Sequence, residues 1–407
     1  MASGGAESDA NPHPQSHASP LREVAGLFLR LGFTAFGGPA AHVALMEDEV
    51  VTRRGWLERQ RFLDLVALVN FIPGPNSTEL AIHLGLIRAG FRGLVVAGVC
   101  FIVPAVLIIL PIAWAYERYG ELPRLRDALV AINAGVVAVL AVACWRFART
   151  SIRGGFTATV AVLAAAGALA ARSRNVPQAE LIVLACAAVA GALPSWLKRR
   201  PVLLLAPLPL AGASALPAGA IGTHWLVRLV LFFLQVGATL FGSGYVLVSY
   251  LHGGLVAQRG WLTEGQLLDA VAVGQVTPGP LLTTATFVGY VVGHRATGSE
   301  AAGVVGAVAA TAAIFLPAFV FIAALGKWLP RLREWPAARG ALDAANAAVA
   351  ALVFVVTVTL AADVLRSPFP VVVAAAGFAA LLALNLNATW VMLAAAAAGL
   401  ARGWWAG

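Results

Sequence analysis

Two Pro-Gly-Pro motifs, at Pro73–Pro75 and Pro278–Pro280, interrupt stretches of the chain that are otherwise apolar. Proline lacks a backbone N–H group, so neither motif can continue a helix. Inside a bilayer, such a break persists only where it is buried in protein or lines a wet cavity. Transporters use breaks of this kind to point free backbone N–H groups at a bound ligand. We therefore expect the residues that follow, in Asn76–Thr78 and Leu281–Thr284, to face an anion.

Each break is preceded by a glycine motif, at Phe36–Pro39 (FGGP) and Phe241–Gly244 (FGSG). Glycine allows the backbone to approach a ligand or another segment closely. One proline–glycine break alone would usually be a kink, because both residues are common in membrane helices. Two breaks at matching positions of a duplicated chain instead favour a binding site near the middle of the membrane.

Two helix ends alone do not carry enough positive charge to stabilise a doubly charged anion in the membrane. A helix terminus carries about half an elementary charge, and an ion in the membrane interior costs several kcal/mol. Arg30, in an apolar run, and Arg53 or Arg54, in the next loop, are candidates for the additional charge. The alternatives are that Arg30 extends to the membrane interface and that the loop arginines mark the cytoplasmic face.

Ionisable side chains in membrane segments are functional candidates by default. Asp64 and Asp269 occupy matching positions at the start of the two broken stretches, where they could cap a helix or bind the other half. Glu79 and His83 lie one turn apart after the first break and have no acidic or histidine counterpart in the second half. A proton relay and a satisfied polar pair are both consistent with this spacing.

The matching residues Asn133 and Asn346 lie in apolar helices and either touch the substrate or hydrogen-bond across helices. Together with the breaks, the glycine motifs and the basic side chains, they complete the predicted set. The predicted substrate-binding residues are Arg30, Gly37, Gly38, Arg53, Pro73, Gly74, Pro75, Asn76, Thr78, Asn133, Gly242, Ser243, Gly244, Gln275, Pro278, Gly279, Pro280, Thr283 and Asn346. The predicted coupling residues are Asp64, Glu79, His83 and Asp269.

The elements that position these residues are duplicated. Leu31–Leu80 aligns with Val236–Ala285 without a gap, and RGWL at Arg54–Leu57 matches RGWL at Arg259–Leu262. Loop Glu47–Arg61 contains four arginines, whereas its copy contains a single one, at Arg259. Because cytoplasmic loops carry the excess of basic residues, this difference favours inverted halves on opposite membrane faces. Each Pro-Gly-Pro segment would then be broken or re-entrant.

The composition predicts a membrane protein. Of 407 residues, 60% are hydrophobic and 12% are charged, against about 25% charged in soluble proteins. Apolar runs such as Leu94–Tyr116 and Ala301–Leu325 reach the roughly 20 residues that span a bilayer, and they lack the alternation of a β-barrel. We predict an all-α polytopic membrane protein of two homologous helical halves, with about 10–12 membrane segments.

The domain boundaries follow from the duplication and the composition. Residues 1–20 are predicted to be a disordered polar tail without the features of a signal peptide. Residues 21–200 form the N-terminal half, 201–223 a linker rich in proline and glycine, and 224–407 the C-terminal half.

Several function classes are disfavoured. The net charge of +9 comes mainly from arginines at the ends of apolar runs, where they contact lipid head groups, so a nucleic-acid partner is not expected. The three cysteines are widely spaced, and the sequence has no Walker A, HExxH or nucleophile-elbow motif. We therefore expect no enzyme activity, metal or cofactor, and we expect an ion gradient or the membrane potential to supply energy.

The duplicated halves, FGGPxAH at Phe36–His42, RRGWL at Arg53–Leu57 and the two Pro-Gly-Pro motifs together resemble the chromate ion transporter family, in its long-chain form with two fused domains. The resemblance covers residues 21–400, roughly the whole chain. It implies efflux of chromate, a tetrahedral dianion shaped like sulfate, across a bacterial inner membrane, and a role in chromate resistance. The FGSG motif departs from FGGP, so the two halves are expected to have unequal roles.

Two other functions stay open at the level of sequence. One is transport of sulfate or a related oxyanion, with chromate as a mimic. The other is a non-transporting membrane scaffold or sensor. The oligomeric state also stays open, with a homodimer as one option.

Overall fold

The structure is a computed structural model that describes residues 19–120, 122–174, 176, 178–196, 222, 224–242, 244–326 and 335–405. The described residues form helices and connecting turns, and no β-strand occurs among them. The predicted linker, 201–223, lies almost entirely outside the described residues, as do Ser243 and residues 1–18 of the predicted tail. Pro20, the last residue of that tail, already begins the first helix.

The two halves contain the same sequence of elements. The first half consists of α1 (Pro20–Thr34), α2 (Gly38–Glu47) with a π-helical turn (Asp48–Arg53), α3 (Arg59–Val69), α4 (Asn76–Tyr119), α5 (Pro123–Ser151), α6 (Gly155–Ser173) and α7 (Ala179–Trp196). The second half consists of α8 (Trp225–Thr239), α9 (Val246–Leu251) with a π-helical turn (His252–Ala257), α10 (Glu264–Val276), a 3₁₀ turn (Leu281–Thr283), α11 (Thr284–Thr297), α12 (Glu300–Leu325), α13 (Pro336–Val364), α14 (Pro368–Ala383) and α15 (Ala388–Trp405).

Helix α4 is itself divided. Ala89 and Gly90 leave the helical conformation and separate a short arm, 76–88, from a long arm, 91–119. The short arm corresponds to α11 and the long arm to α12, so the repeat is preserved through this region.

The helices confirm the predicted membrane fold. Within the described part of the chain, five helices are long and apolar enough to cross a membrane: Asn76–Tyr119, Leu125–Ser151, Gly155–Ser173, Glu300–Leu325 and Pro336–Val364. Shorter apolar helical segments are Ala179–Pro194, Trp225–Thr239, Val246–Ala257 and Pro368–Ala383. Large apolar side chains such as Val162 and Leu163 point away from the protein, as contact with lipid requires.

The direction of equivalent helices confirms the inverted arrangement. At one end of the α4 long arm, the Trp114 indole donates a hydrogen bond to Glu300, at the start of α12, with an Nε1–Oε1 distance of 3.0 Å. Further back along the arm, Gly98 contacts Phe319, near the end of α12. The two helices are therefore antiparallel, and α5 and α13 also run in opposite directions. Because equivalent helices run antiparallel, the two halves are related by a pseudo-two-fold axis that lies in the membrane plane.

The last helix of each half packs on the opposite half. Helix α7 lies along α13, where Gly191 and Gly340 bring the two backbones into contact. Helix α15 lies along α5, where Gly399 contacts Ala128. This exchange packs the last helix of each half on the other half through small residues.

The Pro-Gly-Pro segments are re-entrant hairpins. Helix α3 has 11 residues, about 16 Å of helix, against a hydrocarbon core of about 30 Å. Across the first motif, the Asn76 amide donates a hydrogen bond to Asn70 Oδ1 at 2.5 Å. Across the second, Gly274 packs directly against Thr284. In both hairpins the chain therefore reverses at the motif. We call Pro73–Pro75 the first tip and Pro278–Pro280 the second tip.

Candidate functional site

The two tips are held by reciprocal hydrogen bonds between the halves. The Gly74 N–H group donates to the Leu240 carbonyl at 2.7 Å, and the Gly279 N–H group donates to the Ala35 carbonyl at 3.0 Å. Leu240 and Ala35 are matching residues that follow α8 and α1. Each tip therefore docks on the end of the first helix of the other half. We call these contacts the first crossing, at Gly74, and the second crossing, at Gly279.

Glycine is required at both tips by backbone conformation. Gly74 has a φ of +146° and Gly279 a φ of +103°, a region that residues with a Cβ atom rarely adopt. A Cβ atom on Gly279 would lie 3.1 Å from the Ala105 methyl group, and one on Gly74 would lie 3.6 Å from that of Ala318. Ala105 and Ala318 directly follow the matching prolines Pro104 and Pro317. Each tip therefore contacts an equivalent alanine in the opposite half.

The first crossing contains buried polar groups without partners. The Glu79 side chain has 0% exposure, and neither of its carboxylate oxygens meets a donor in the described part of the chain. Its Oε1 atom folds back over Gly74, so closely that a Cβ atom there would collide with it. Thr78 Oγ1 and His83 Nδ1 are likewise buried without a hydrogen bond to the described residues. Such groups are rare in folded proteins and often mark a functional site.

The start of the α4 short arm also offers backbone donors. The N–H groups of Thr78 and Glu79 donate to the Pro75 carbonyl, at 2.8 and 3.0 Å. The N–H groups of Asn76 and Ser77 have no acceptor among the described residues, as expected for the first turn of a helix. With the helix dipole, they favour a negative charge near the tip.

At the second crossing the threonine hydroxyls have partners, whereas His42 Nδ1 has none among the described residues. The hydroxyl of Thr283 donates to the Pro280 carbonyl at 2.6 Å, and that of Thr284 donates to Leu281 at 2.8 Å. The His42 ring places Nε2 3.0 Å from the Ala35 carbonyl. Because these hydroxyls and this carbonyl are already engaged, the second crossing is suited to holding the halves together.

An acidic contact between the halves lies at Asp269. The Tyr116 hydroxyl, at the end of α4, donates to Asp269 Oδ2 at 2.8 Å. The side chain of Asn133, in α5, lies within hydrogen-bonding reach of the same carboxylate. The matching Asp64 is half-buried in α3. The structure thus brings two of the predicted residues, Asn133 and Asp269, together across the interface between the halves.

An open cleft of about 590 Å³ extends to Asn70, whose side chain accepts a hydrogen bond from the Asn76 amide just after the first tip. Its inner wall includes Asn70 beside the first tip, Gly242 of the FGSG motif and Asn346. A Cβ atom on Gly242 would lie 2.7 Å from Asn346 Oδ1, which explains the glycine. The rim carries Arg153 and Arg339 together with Asp343. The charged side chains that line the cleft are thus net positive, which attracts an anion.

The predicted basic residues lie elsewhere. Arg30 is paired with Glu49 at 2.5 Å, and Arg53 contacts the same carboxylate at 3.5 Å. Arg54 is 3.3 Å from it. The π-helical turn after α2 carries Glu49 and lets these arginines converge on it. In this conformation they are engaged with acidic side chains, so their predicted substrate role would require the cluster to open.

The remaining predicted residues surround the second crossing or face solvent. A Cβ atom on Gly37 would lie 2.9 Å from Asn387 Nδ2, whereas one on Gly38 would meet no atom within 4 Å. The Gln275 carbonyl accepts a hydrogen bond from Thr389 at 3.2 Å. Gly244 packs against Leu281 of its own half. A Cβ atom placed on Gly244 would lie 3.5 Å from the Leu281 side chain.

The predicted set omitted several residues that the structure places at the site. Tyr116, Arg153 and Arg339 carry no motif that marks them, because their partners are distant in the chain. Glu49 could have been found, since an acidic residue within an arginine-rich loop is a natural ion-pair partner. His42 lies in the FGGPxAH motif and could also have been included.

Comparisons with known proteins agree with this arrangement. The sequence profile of the family described as "Chromate transporter" matches residues 22–192 and 227–400. The "Chromate transport protein" of Cupriavidus metallidurans is 31% identical over 335 residues, covering 82% of this chain and 81% of the relative. The "Chromate transport protein" of Pseudomonas aeruginosa is 31% identical over 414 residues, with 97% and 94% coverage.

A third relative is the "Probable chromate transport protein" of Synechococcus elongatus, 33% identical over 313 residues, with 76% and 75% coverage. No solved structure matches the chain.

Proposed function

This chain belongs to the chromate transporter family, and we propose that it exports chromate across a bacterial inner membrane as a secondary transporter. The observation that carries the proposal is the first crossing. There, between two inverted halves, a half-helix begins beside Asn70, which lines a cleft of net positive charge, and its first two N–H groups have no acceptor among the described residues. Inverted halves with broken helices at their interface are the arrangement of several secondary transporters.

The membrane potential favours the outward direction. Moving one charge across the membrane is worth about 2.3 kcal/mol per 100 mV, or about 4.6 kcal/mol for a dianion. At about 1.4 kcal/mol per decade, this energy sustains a roughly thousandfold gradient of chromate. Export with an interior-negative potential therefore needs no ATP, whereas uptake would need a comparable input from another ion.

Purified protein in liposomes tests the transport step. Liposomes loaded with chromate are given a potassium diffusion potential, negative inside, and chromate release is followed by its absorbance. We expect release to accelerate with the size of the potential. Empty liposomes and liposomes with a Gly74→Leu variant are the controls, since that change blocks the first tip. Release that is independent of both the protein and the potential would reject the proposal.

Substrate choice is tested by competition. If chromate is the preferred substrate, an equal concentration of sulfate slows its release only weakly. Strong competition by sulfate would instead identify a transporter of sulfate-like oxyanions. Expression in a chromate-sensitive host, with the internal chromate measured, tests the resistance role. Unchanged accumulation would contradict export.

A further inference from the structure

We propose that Glu79 is the proton-binding group of the transporter, and that its carboxylate and the transported anion compete for the first tip. This inference rests on the function proposed above. The side chain is fully buried, both of its oxygens lack a donor among the described residues, and Oε1 lies over Gly74. A charged carboxylate without any partner is strongly disfavoured in such a place. In this conformation Glu79 therefore holds a proton.

Neighbouring titratable groups do not neutralise it. His83 lies one turn further along the same helix, and no hydrogen bond joins the two side chains. From α1, Arg30 is already paired with Glu49. From α2, His42 is bonded to the Ala35 carbonyl. The long arm of α4 brings Cys100, whose side chain is partly exposed and forms no ion pair.

The described residues of α12, α11 and α10 also bring no unpaired cation to Glu79. Helix α12 contributes the methyl of Ala318 and other apolar side chains at this level. On α11, Arg295 is paired with Glu117 at 2.7 Å. On α10, Asp269 accepts from Tyr116. In the described part of the chain, a proton is therefore the cation that neutralises Glu79.

The N–H groups at the first tip can bind one negatively charged group at a time. In this conformation the Gly74 N–H group is held by the Leu240 carbonyl. When the tip separates from Leu240, the N–H groups of Gly74, Asn76 and Ser77 become available together. Either the ionised Glu79 carboxylate or an oxygen of the anion can accept from them. Both together would place like charges in contact at a poorly hydrated site. The anion consequently binds when Glu79 carries its proton.

The second tip has no carboxyl group at the position that matches Glu79. Thr284 occupies the position that matches Glu79, and its hydroxyl already donates to Leu281. The duplication therefore provides one proton-binding group for two tips. At a pH high enough for Glu79 to be ionised in the unliganded protein, binding of one chromate dianion is expected to take up about one proton, because the two events are linked.

Proton uptake on binding is the direct test. Chromate is added to the purified, full-length protein in weakly buffered detergent solution at mildly alkaline pH, where free chromate is a dianion. A pH indicator follows proton uptake while equilibrium dialysis measures bound chromate. As the pH is raised and Glu79 of the unliganded protein loses its proton, we expect the uptake to rise toward one proton per bound chromate for the wild type and to stay at none for Glu79→Gln. The chromate affinity of the wild type should fall about tenfold per pH unit in this range, and that of Glu79→Gln should stay level.

Three further variants make the outcome decisive. Glu79→Asp keeps a titratable group and should retain the uptake, which covers the case in which Glu79→Gln does not fold. Glu300→Gln removes an exposed glutamate at the far end of α12 and should behave as the wild type. Uptake that survives in Glu79→Gln, or that disappears in His83→Gln with Glu79 intact, overturns the proposal. Absence of chromate binding by the wild type would instead reject the transport function itself.

Discussion

The first and second tips have the same backbone but different chemistry. Both are glycine-centred hairpin tips whose N–H group bonds to the end of a helix in the opposite half. At the second tip, Thr283 and Thr284 return their hydroxyls to carbonyls of their own turn. At the first, Thr78 and Glu79 keep unpartnered oxygens. Duplication thus preserved the backbone of both tips, while side-chain divergence left polar groups without partners at the first tip, the one that we propose binds the anion.

The largest difference in chromate flux between the two tips is expected when alanine replaces each tip glycine. For Gly74→Ala, the left-handed backbone costs about 1–2 kcal/mol, and the collision with Glu79 adds about 1–3 kcal/mol. Chromate flux should fall about a hundredfold. For Gly279→Ala, the nearest contact is the Ala105 methyl at 3.1 Å, and we expect a loss of about tenfold. Flux in liposomes at matched protein content measures both, and equal losses would contradict the asymmetry.

The acidic contact between the halves comes next. Asp269→Asn replaces the carboxyl group that accepts a hydrogen bond from the Tyr116 hydroxyl. A typical hydrogen bond contributes about 0.5–1.5 kcal/mol, so thermal unfolding in detergent should occur at a lower temperature. Asp64→Asn, at the matching and more exposed position, is the control and should lower it less. A larger effect at Asp64 would show that the first half carries the principal contact.

Threonine substitutions separate binding from stability. Thr283→Val removes a hydrogen bond of 2.6 Å and should lower stability by about 1 kcal/mol, with little change in chromate affinity. Thr78→Val removes a hydroxyl without a hydrogen bond in the described residues. It should weaken chromate affinity about fivefold and leave stability unchanged. Dialysis and thermal unfolding on the same samples measure the two effects. Unaltered flux in both variants would remove the tips from the substrate path.

The smallest effect is expected at the rim of the cleft. Arg153→Gln removes one positive charge from the wall and should slow chromate entry about twofold at low ionic strength, with the difference disappearing in high salt. Arg366 corresponds to Arg153 when the match between α5 and α13 is continued, and it is paired with Asp363. Arg366→Gln should therefore leave the rate unchanged. A rate loss that persists in high salt would indicate a direct contact rather than long-range attraction.

The sequence predicted the features that depend on local chemistry. Proline fixes the two breaks, glycine marks both tips, and a gapless match places the tips at equivalent positions. Unequal arginine content in one pair of loops also predicted the inverted halves correctly. These signals are short-range or statistical, so they are visible without knowledge of the fold.

Contacts between the halves could not be predicted in the same way. The pairing of Gly74 with Leu240 joins residues far apart in the chain, and a backbone carbonyl leaves no trace in the choice of amino acid. The roles proposed for Arg30 and Arg53 rested on their charge, and the structure pairs both with Glu49. Their substrate role, like that of the rest of the predicted set, stays a prediction.

The exchange of last helices has a consequence for how the chain is made. Helix α7 leaves the ribosome well before α13, the helix of the second half on which it packs. Until α13 is inserted, the glycine face of α7 at Gly191 has lipid or an insertion factor as its neighbour. Contacts so distant in sequence form slowly and favour intermediates. Maturation of the first half should thus await the second, and truncation after α7 should yield a fragment that is degraded rather than an independent module.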